Sequence, residues 1–117
     1  MIQEDQRYKG SYLGTEIDGK FWKRYTKDGL FARGTGEFWF DKNYFYFLRY
    51  LTKEPVVIPY SEIDKIKIGR WHSGRWIFNH PILKIVWNKE KPLSICPGFY
   101  IPKNTYEVKE FIESKMM

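Results

Sequence analysis

The sequence predicts a mostly β protein, an antiparallel barrel of about seven strands with a C-terminal capping helix and a short N-terminal helix. The main observation is the stretch 56–68, where a short apolar run breaks at Pro59 and resumes as Ile66 and Ile68 alternating with lysines. Such alternation is typical of a half-buried strand, and proline, which has no amide hydrogen, belongs at a strand end or an unpaired edge. The stretch therefore predicts two consecutive strands joined by a corner.

Composition agrees with this fold class. Aromatic residues make up 20% of the 117 residues, yet lysines and arginines are interleaved among them. This mixture suits strands that have one wet face. A chain of this length is large enough to bury a core without disulfides, so we expect a single domain over residues 1–117.

The N-terminal segment has the weakest pattern. Residues 8–14 could form an extended arm. Asp18 is placed as an N-cap and Gly29 as a stop, with aromatic residues between them at helical spacing, which predicts a short helix at 19–27. A strand is the alternative for so short a run. We expect residues 1–29 to be an N-terminal extension of the domain.

From Leu30 onward the pattern predicts strands until the last helix. Asp41-Lys42-Asn43 is a hairpin turn between two aromatic runs, and Pro97-Gly98 interrupts the last strand. Val108, Phe111 and Ile112 recur at helical spacing and predict a final amphipathic helix. Besides the pair in 56–68, the predicted elements are strands at 30–40, 44–50, 82–87 and 93–101 and a helix at 105–115.

This layout resembles the pleckstrin-homology (PH)-like barrel, and within it the GRAM-like and bacterial PH-like branches. The resemblance covers residues 30–116. It rests on the hairpin of Gly36-Glu-Phe-Trp-Phe with Tyr44-Phe-Tyr-Phe, the strand-corner-strand Ile58-Pro-Tyr-Ser-Glu-Ile-Asp-Lys-Ile, and the closing helix. It implies a non-catalytic scaffold that binds lipid head groups, peptides or other proteins. Lipid-binding members of the family use a basic cluster in the first strand-loop-strand, whereas the corresponding turn here, 41–43, carries one lysine and one acid.

The net charge of +6 is uneven along the chain. Between Lys65 and Lys103 there are eight basic residues and one acid, Glu90. A basic half attracts anionic partners over long range, whether phospholipid, nucleic acid or an acidic protein. The alternative is an ordinary solvated face that keeps the protein soluble.

The loop at 70–80 is the predicted contact surface for an anionic partner, a protein or a lipid head group. Arginine offers a planar fork for phosphate or carboxylate, and tryptophan offers a stacking face. The alternative is that the two tryptophans form a buried lid. The candidate binding residues are Arg70, Trp71, His72, Arg75, Trp76 and His80.

Catalytic and metal sites are not expected. His72, His80 and Cys96 lie eight and sixteen residues apart, and these spacings match no zinc pattern. We therefore predict no metal, no cofactor and no enzymatic activity, and we expect Cys96 to be a small buried residue. The lone cysteine and the polar, acidic start predict a cytoplasmic protein without a signal peptide.

Two other function classes stay open. A nucleic-acid binder would use arginines and exposed aromatic rings as a stacking platform. A small-ligand-binding protein or enzyme would have a pocket at the barrel mouth, lined by polar groups, with a perturbed pKa at His72 or His80. A map of which rings are exposed would separate a surface site from a structural lid.

Overall fold

A computed structural model of the chain describes residues 2–18, 20–24, 33–72, 75–76, 80–90, 93–102 and 104–116. These residues form strands, one 3-10 helix (Tyr60–Glu62) between β5 and β6, and one α-helix. The elements are β1 (Tyr8–Ile17), β2 (Lys20–Arg24), β3 (Gly34–Phe40), β4 (Tyr44–Arg49), β5 (Val56–Pro59), β6 (Ile63–Gly69), β7 (Trp71–His72), β8 (Arg75–Trp76), β9 (Ile82–Glu90), β10 (Leu93–Tyr100) and α1 (Thr105–Met116).

One antiparallel sheet organises the molecule. Its hydrogen-bonded order is β5-β4-β3-β1-β10-β9-β6, and β2 pairs with β1 beside this path. The long strand β1 pairs with β3 through its first half and with β10 through its second half, across a register shift between Tyr12 and Thr15. Strands β7 and β8 form a separate two-stranded ribbon.

The prediction of a mostly antiparallel β fold is confirmed, but the predicted closed barrel is wrong. Within the described residues, β5 and β6 end the sheet order and do not pair with each other. The 3-10 helix diverts the chain between these two strands, so they are consecutive in sequence without being hydrogen-bonded neighbours. Helix α1 packs against β6, β9 and the 3-10 helix. Where β5 and β6 do not pair with each other, the apolar side chains are therefore covered by α1 and not by a further strand.

The predicted N-terminal helix is also wrong. Residues 20–24 form β2, and 25–27 lie outside the described residues. Asp18, predicted as a helix cap, has φ 52 and its carboxylate accepts the backbone N–H of Ser94 at 3.0 Å. Aromatic residues favour strands as readily as short helices, and pairing with β1 decided between them. The predicted arm at 8–14 lies inside β1, at the centre of the sheet.

The core lies on the inner face of the sheet and under α1. Fully buried rings from three regions meet there, with Phe45 and Phe99 in edge contact at 5.2 Å between centroids. Val108 and Ile112 lie one turn apart on α1 and are completely buried. Burying each such side chain contributes about 1.5–3 kcal/mol. The predicted C-terminal helix and its apolar face are confirmed for these two residues.

The predicted hairpin turn at 41–43 is confirmed as well. One carboxylate oxygen of Asp41 accepts the N–H groups of Asn43 and Tyr44, and the other accepts the Tyr46 hydroxyl at 2.6 Å. Burial tends to raise the pKa of Asp41, but these three hydrogen bonds outweigh it and hold the pKa below its ordinary value. Among the helices that the structure describes, none is long and apolar enough to cross a membrane.

Candidate functional site

Within the predicted contact loop, residues 71–72 and 75–76 form the ribbon β7–β8. Trp71 lies opposite Trp76, and His72 opposite Arg75. Arg70 precedes the ribbon and is exposed. His80 follows it, is also exposed, and lies 5.2 Å from the Tyr100 ring between centroids. The side chains of Trp71, Arg75 and Trp76 lie outside the description, so the choice between site and lid for the two tryptophans stays a prediction.

His72 is buried completely and anchors the ribbon to the sheet. Its Nε2 donates to the backbone carbonyl of Gly14 at 2.9 Å. Its Nδ1 lies 3.7 Å from a carboxylate oxygen of Glu16, which is itself 5% exposed. A Cβ at Gly98 would lie 2.3 Å from the imidazole Cδ2, so only glycine leaves room for this ring. His72 therefore makes its contacts inside the protein and is not part of a surface that an external partner could touch.

Burial lowers the pKa of His72 below its ordinary value, and the carboxylate of Glu16 offsets only part of this. The imidazole is then neutral at pH 7, in agreement with its Nε2–H donating to a carbonyl. The hypothesis of a ligand pocket or an active site predicts a histidine with a perturbed pKa. Here the perturbation has a structural cause, because the ring has no exposed surface through which a substrate could reach it.

A groove of about 430 Å³ runs over β1, β6, β9 and β10 beside this histidine. Cys96 contributes to its lining, and Cys96 is the register partner of Glu16. Burial, with a smaller contribution from Glu16, raises the pKa of the Cys96 thiol to about 12. Nucleophilic cysteines need a lowered pKa, so this protonated thiol is not activated. In the described part of the chain, no three His, Cys, Asp or Glu side chains converge as metal ligands.

On β6 and β9 the groove is lined by Lys65, Lys67 and Lys84 together with one acid, Asp64, while Glu16 and Asp18 contribute to its lining from the end of β1. Lys65 and Lys67 are exposed on β6, and Lys84 on β9 is half-buried and lies directly opposite Lys67. Like charges placed opposite each other across antiparallel strands destabilise a sheet by about 0.2–1 kcal/mol. Within the described ranges none of these lysines forms an ion pair. We call Lys65, Lys67 and Lys84 the basic surface.

Sequence reasoning counted these lysines in the basic half of the chain but did not single them out. The signal was present for Lys65 and Lys67, because alternation with buried isoleucines places both on the wet face of one strand. The position of Lys84 could not be read in the same way. It depends on the register between β6 and β9, which are separated in sequence by the ribbon.

Aromatic rings form a second, partly exposed area on β3 and β4. Trp39 and Tyr46 stack at 5.2 Å with an interplanar angle of 8°, and the Arg7 guanidinium lies 3.5 Å from the centroid of the Trp39 ring. Tyr44, beside them, is 37% exposed. In the sheet order β1, β10 and β9 lie between this pair of strands and β6. These rings on β3 and β4 and the basic surface are therefore on different strands.

No known protein family matches the sequence, and no curated protein does. Among solved structures, the chain is similar to the pleckstrin homology (PH) domain of USP37, with a TM-score of 0.53 and 9% sequence identity. The match covers 92% of this chain and 95% of that chain. Identity this low concerns the fold alone and does not support the GRAM-like branch, which stays a prediction. The chain therefore has a PH-like fold with an open sheet.

Proposed function

We propose that this protein is a non-catalytic binding domain that holds an anionic partner against its basic surface. The observation that carries the proposal is the placement of Lys67 opposite Lys84, with Lys65 two residues away and no ion pair to any of them among the described residues. Repulsion between adjacent ammonium groups costs stability in the free protein. An incoming phosphate or carboxylate would relieve that repulsion and gain attraction at the same position.

The sequence also predicts that the loop 70–80 contributes to the contact with the anionic partner. Arg70 directly follows β6 and is exposed. A guanidinium there would orient a planar anionic group by a bidentate contact. The role of Arg75, Trp71 and Trp76 in the same contact remains part of the proposal, as does the cytoplasmic setting predicted from the single cysteine.

The experiment compares three classes of anionic probe at low and high salt. These are vesicles of phosphatidylcholine with phosphatidylserine, a poly-glutamate peptide, and single-stranded DNA and RNA. Charge-driven binding should weaken as ionic strength rises. The proposal expects at least one probe to bind, and the one that binds most tightly identifies the class of partner. It is wrong if none binds at low salt.

The matched variants change the same charge in two places. Lys65→Glu with Lys67→Glu should weaken binding by about tenfold or more, since each lost contact with a charged group is worth about 1.5–3 kcal/mol. Lys42→Glu with Lys53→Glu changes net charge equally at two exposed lysines outside the basic surface. Equal losses in both pairs would show that only net charge matters. Arg70→Ala with Arg75→Ala then tests the loop.

A further inference from the structure

The groove over β1, β10, β9 and β6 carries both signs of charge, and they come mainly from opposite sides. Glu16 and Asp18 line it from the end of β1, whereas Lys65 and Lys67 line it from β6. In the sheet order, β10 and β9 lie between these two strands. Three strand spacings of about 4.7–4.9 Å therefore separate the acidic side from the basic side, which is about 14 Å along the sheet.

The floor of the groove is made of short or buried side chains. Ser94 and Cys96 line it from β10 and Val86 lines it from β9. Cys96 is the register partner of Glu16, and Val86 is the register partner of Lys65. Short side chains between longer charged ones leave a trough that crosses the strands. An elongated ligand in this trough would have one end at each charged side.

The groove is balanced in charge, which bears on what it can bind. Among the described residues, three acids and three lysines line it. The third acid, Asp64, lies on β6 at the register shift between Ile63 and Lys65. An anion alone would be attracted by the lysines and repelled by the carboxylates of the same groove. A ligand with a cation at one end and an anion at the other is attracted at both ends.

Asp18 is fixed in position on the acidic side. Its backbone N–H donates to the carbonyl of Ser94 at 2.7 Å, and one carboxylate oxygen accepts the Ser94 N–H at 3.0 Å. Asp18 is nevertheless exposed, and a carboxylate has about four lone-pair sites, so it can also accept from a ligand. Glu16, buried against His72, adds negative charge beside it. This side of the groove is therefore suited to an ammonium group.

We propose that the groove binds a short peptide with free termini, laid across the strands with its α-ammonium at Asp18 and its α-carboxylate at the basic surface. This inference rests on the proposed function, because the α-carboxylate is the anion that the basic surface holds. An extended chain spans at most about 3.3–3.6 Å per residue. Charged side chains reaching in from both sides shorten the gap, so about three residues fit. The second contact restricts the ligand to molecules that carry both charges.

The competing explanation is that the acids only offset the charge of the lysines and contact no ligand. Both explanations predict attraction of a carboxylate to the lysines. They differ in the value of the ligand's ammonium group, which contributes to binding only if the acidic side is part of the site.

The test is titration calorimetry at low salt with trialanine and two derivatives, one N-acetylated and one C-amidated. Acetylation removes the positive charge and amidation removes the negative charge, while the three alanines stay the same. If both ends are held, each derivative should bind about threefold or more weakly than trialanine.

The variant Asp18→Asn isolates the ammonium contact. Asparagine tolerates the φ of 52 at this position, and its side-chain oxygen can still accept the Ser94 N–H. Trialanine should bind this variant about threefold or more weakly than wild type, whereas N-acetyl-trialanine should bind both equally. Glu54→Gln makes the same change at an exposed acid outside the groove and should alter neither affinity.

The outcomes separate this proposal from the proposed function. Equal affinity of trialanine and its N-acetyl derivative would overturn the two-ended site and keep the basic surface. Loss of trialanine affinity in Glu54→Gln as large as in Asp18→Asn would also overturn it, because only net charge would then matter. No binding of trialanine at millimolar concentration would overturn the peptide ligand, and the vesicle, poly-glutamate and nucleic-acid titrations would decide the proposed function alone.

Discussion

The β3–β4 hairpin and the face formed by β6, β9 and the ribbon treat their polar groups differently. In the hairpin region, Asp41 accepts three hydrogen bonds, and Arg7 lies over Trp39 and 3.6 Å from Glu37. In the second region, Lys65, Lys67 and Lys84 form no ion pair with any described residue, and His72 of the ribbon is buried against β1. In the first region, these polar groups are therefore paired with other groups of the protein. The second region is therefore the one where we propose that an external partner binds.

The largest expected effect concerns β6, which carries Lys65 and Lys67 on its exposed face and part of the core on its inner face. Ile66 is 6% exposed on the inner face of β6. Ile66→Asp should unfold the protein, because a buried unpaired carboxylate costs several kcal/mol, comparable with the whole stability of a domain of about 5–15 kcal/mol. Lys65→Asp, on the exposed face of the same strand, is the control and should change stability little. A thermal melt followed by circular dichroism measures both, and an unchanged Ile66→Asp melt would contradict the assignment of this face.

The next effect tests how the ribbon is held. Gly98→Ala would place a methyl group 2.3 Å from the His72 ring, and we expect a loss of about 1–3 kcal/mol from overpacking. In the double variant with His72→Ala, the added methyl has space, so the two effects should not be additive. Urea denaturation of the two single variants and the double variant measures the coupling. Additive effects would show that the ring and Gly98 are not in contact.

A smaller effect concerns pH. Because the folded-state pKa of His72 is lowered, the unfolded state takes up a proton first as pH falls below the ordinary value of 6.5. The stability present above that pH should therefore decline as pH falls below 6.5. His72→Gln should lose this dependence, whereas His80→Gln, at the exposed histidine, should keep it. Denaturation midpoints between pH 7.5 and 5.5 provide the measurement.

The smallest expected effect concerns the β3–β4 hairpin, where Asp41 is hydrogen-bonded within the protein. The lowered pKa of Asp41 means that its contribution is present above its ordinary value of 3.8 and is lost as pH falls through the lower folded-state value. Asp41→Asn should cost about 0.5 kcal/mol at pH 7, since solvent screens the exposed carboxylate. Its hydrogen bond raises the pKa of Tyr46 to about 12, so the phenol should titrate above 10 in the wild type and nearer 10 in the variant. Absorbance of tyrosinate follows this titration.

Much of the fold was predictable because its signals are local. Alternating Ile66 and Ile68 with lysines, the turn at 41–43, and the spacing of Val108 and Ile112 each depend on neighbouring residues. The structure has the corresponding strands, turn and helix in these places. The failures lie where a local pattern fits two structures. The aromatic run in 20–24 suits a short helix or a strand, and only its pairing with β1 decided.

The candidate site divides in the same way. By itself the sequence determined that Lys65 and Lys67 share a wet strand face, because side chains alternate along any strand. Tertiary structure alone decided that Lys84 lies opposite Lys67 and that His72 is buried against Gly14 and Glu16. It also decided that β5 and β6 do not pair with each other within the described residues. Each of these depends on register or packing between segments distant in sequence. Such contacts are selected by the free energy of the whole sheet, which no local stretch of residues encodes.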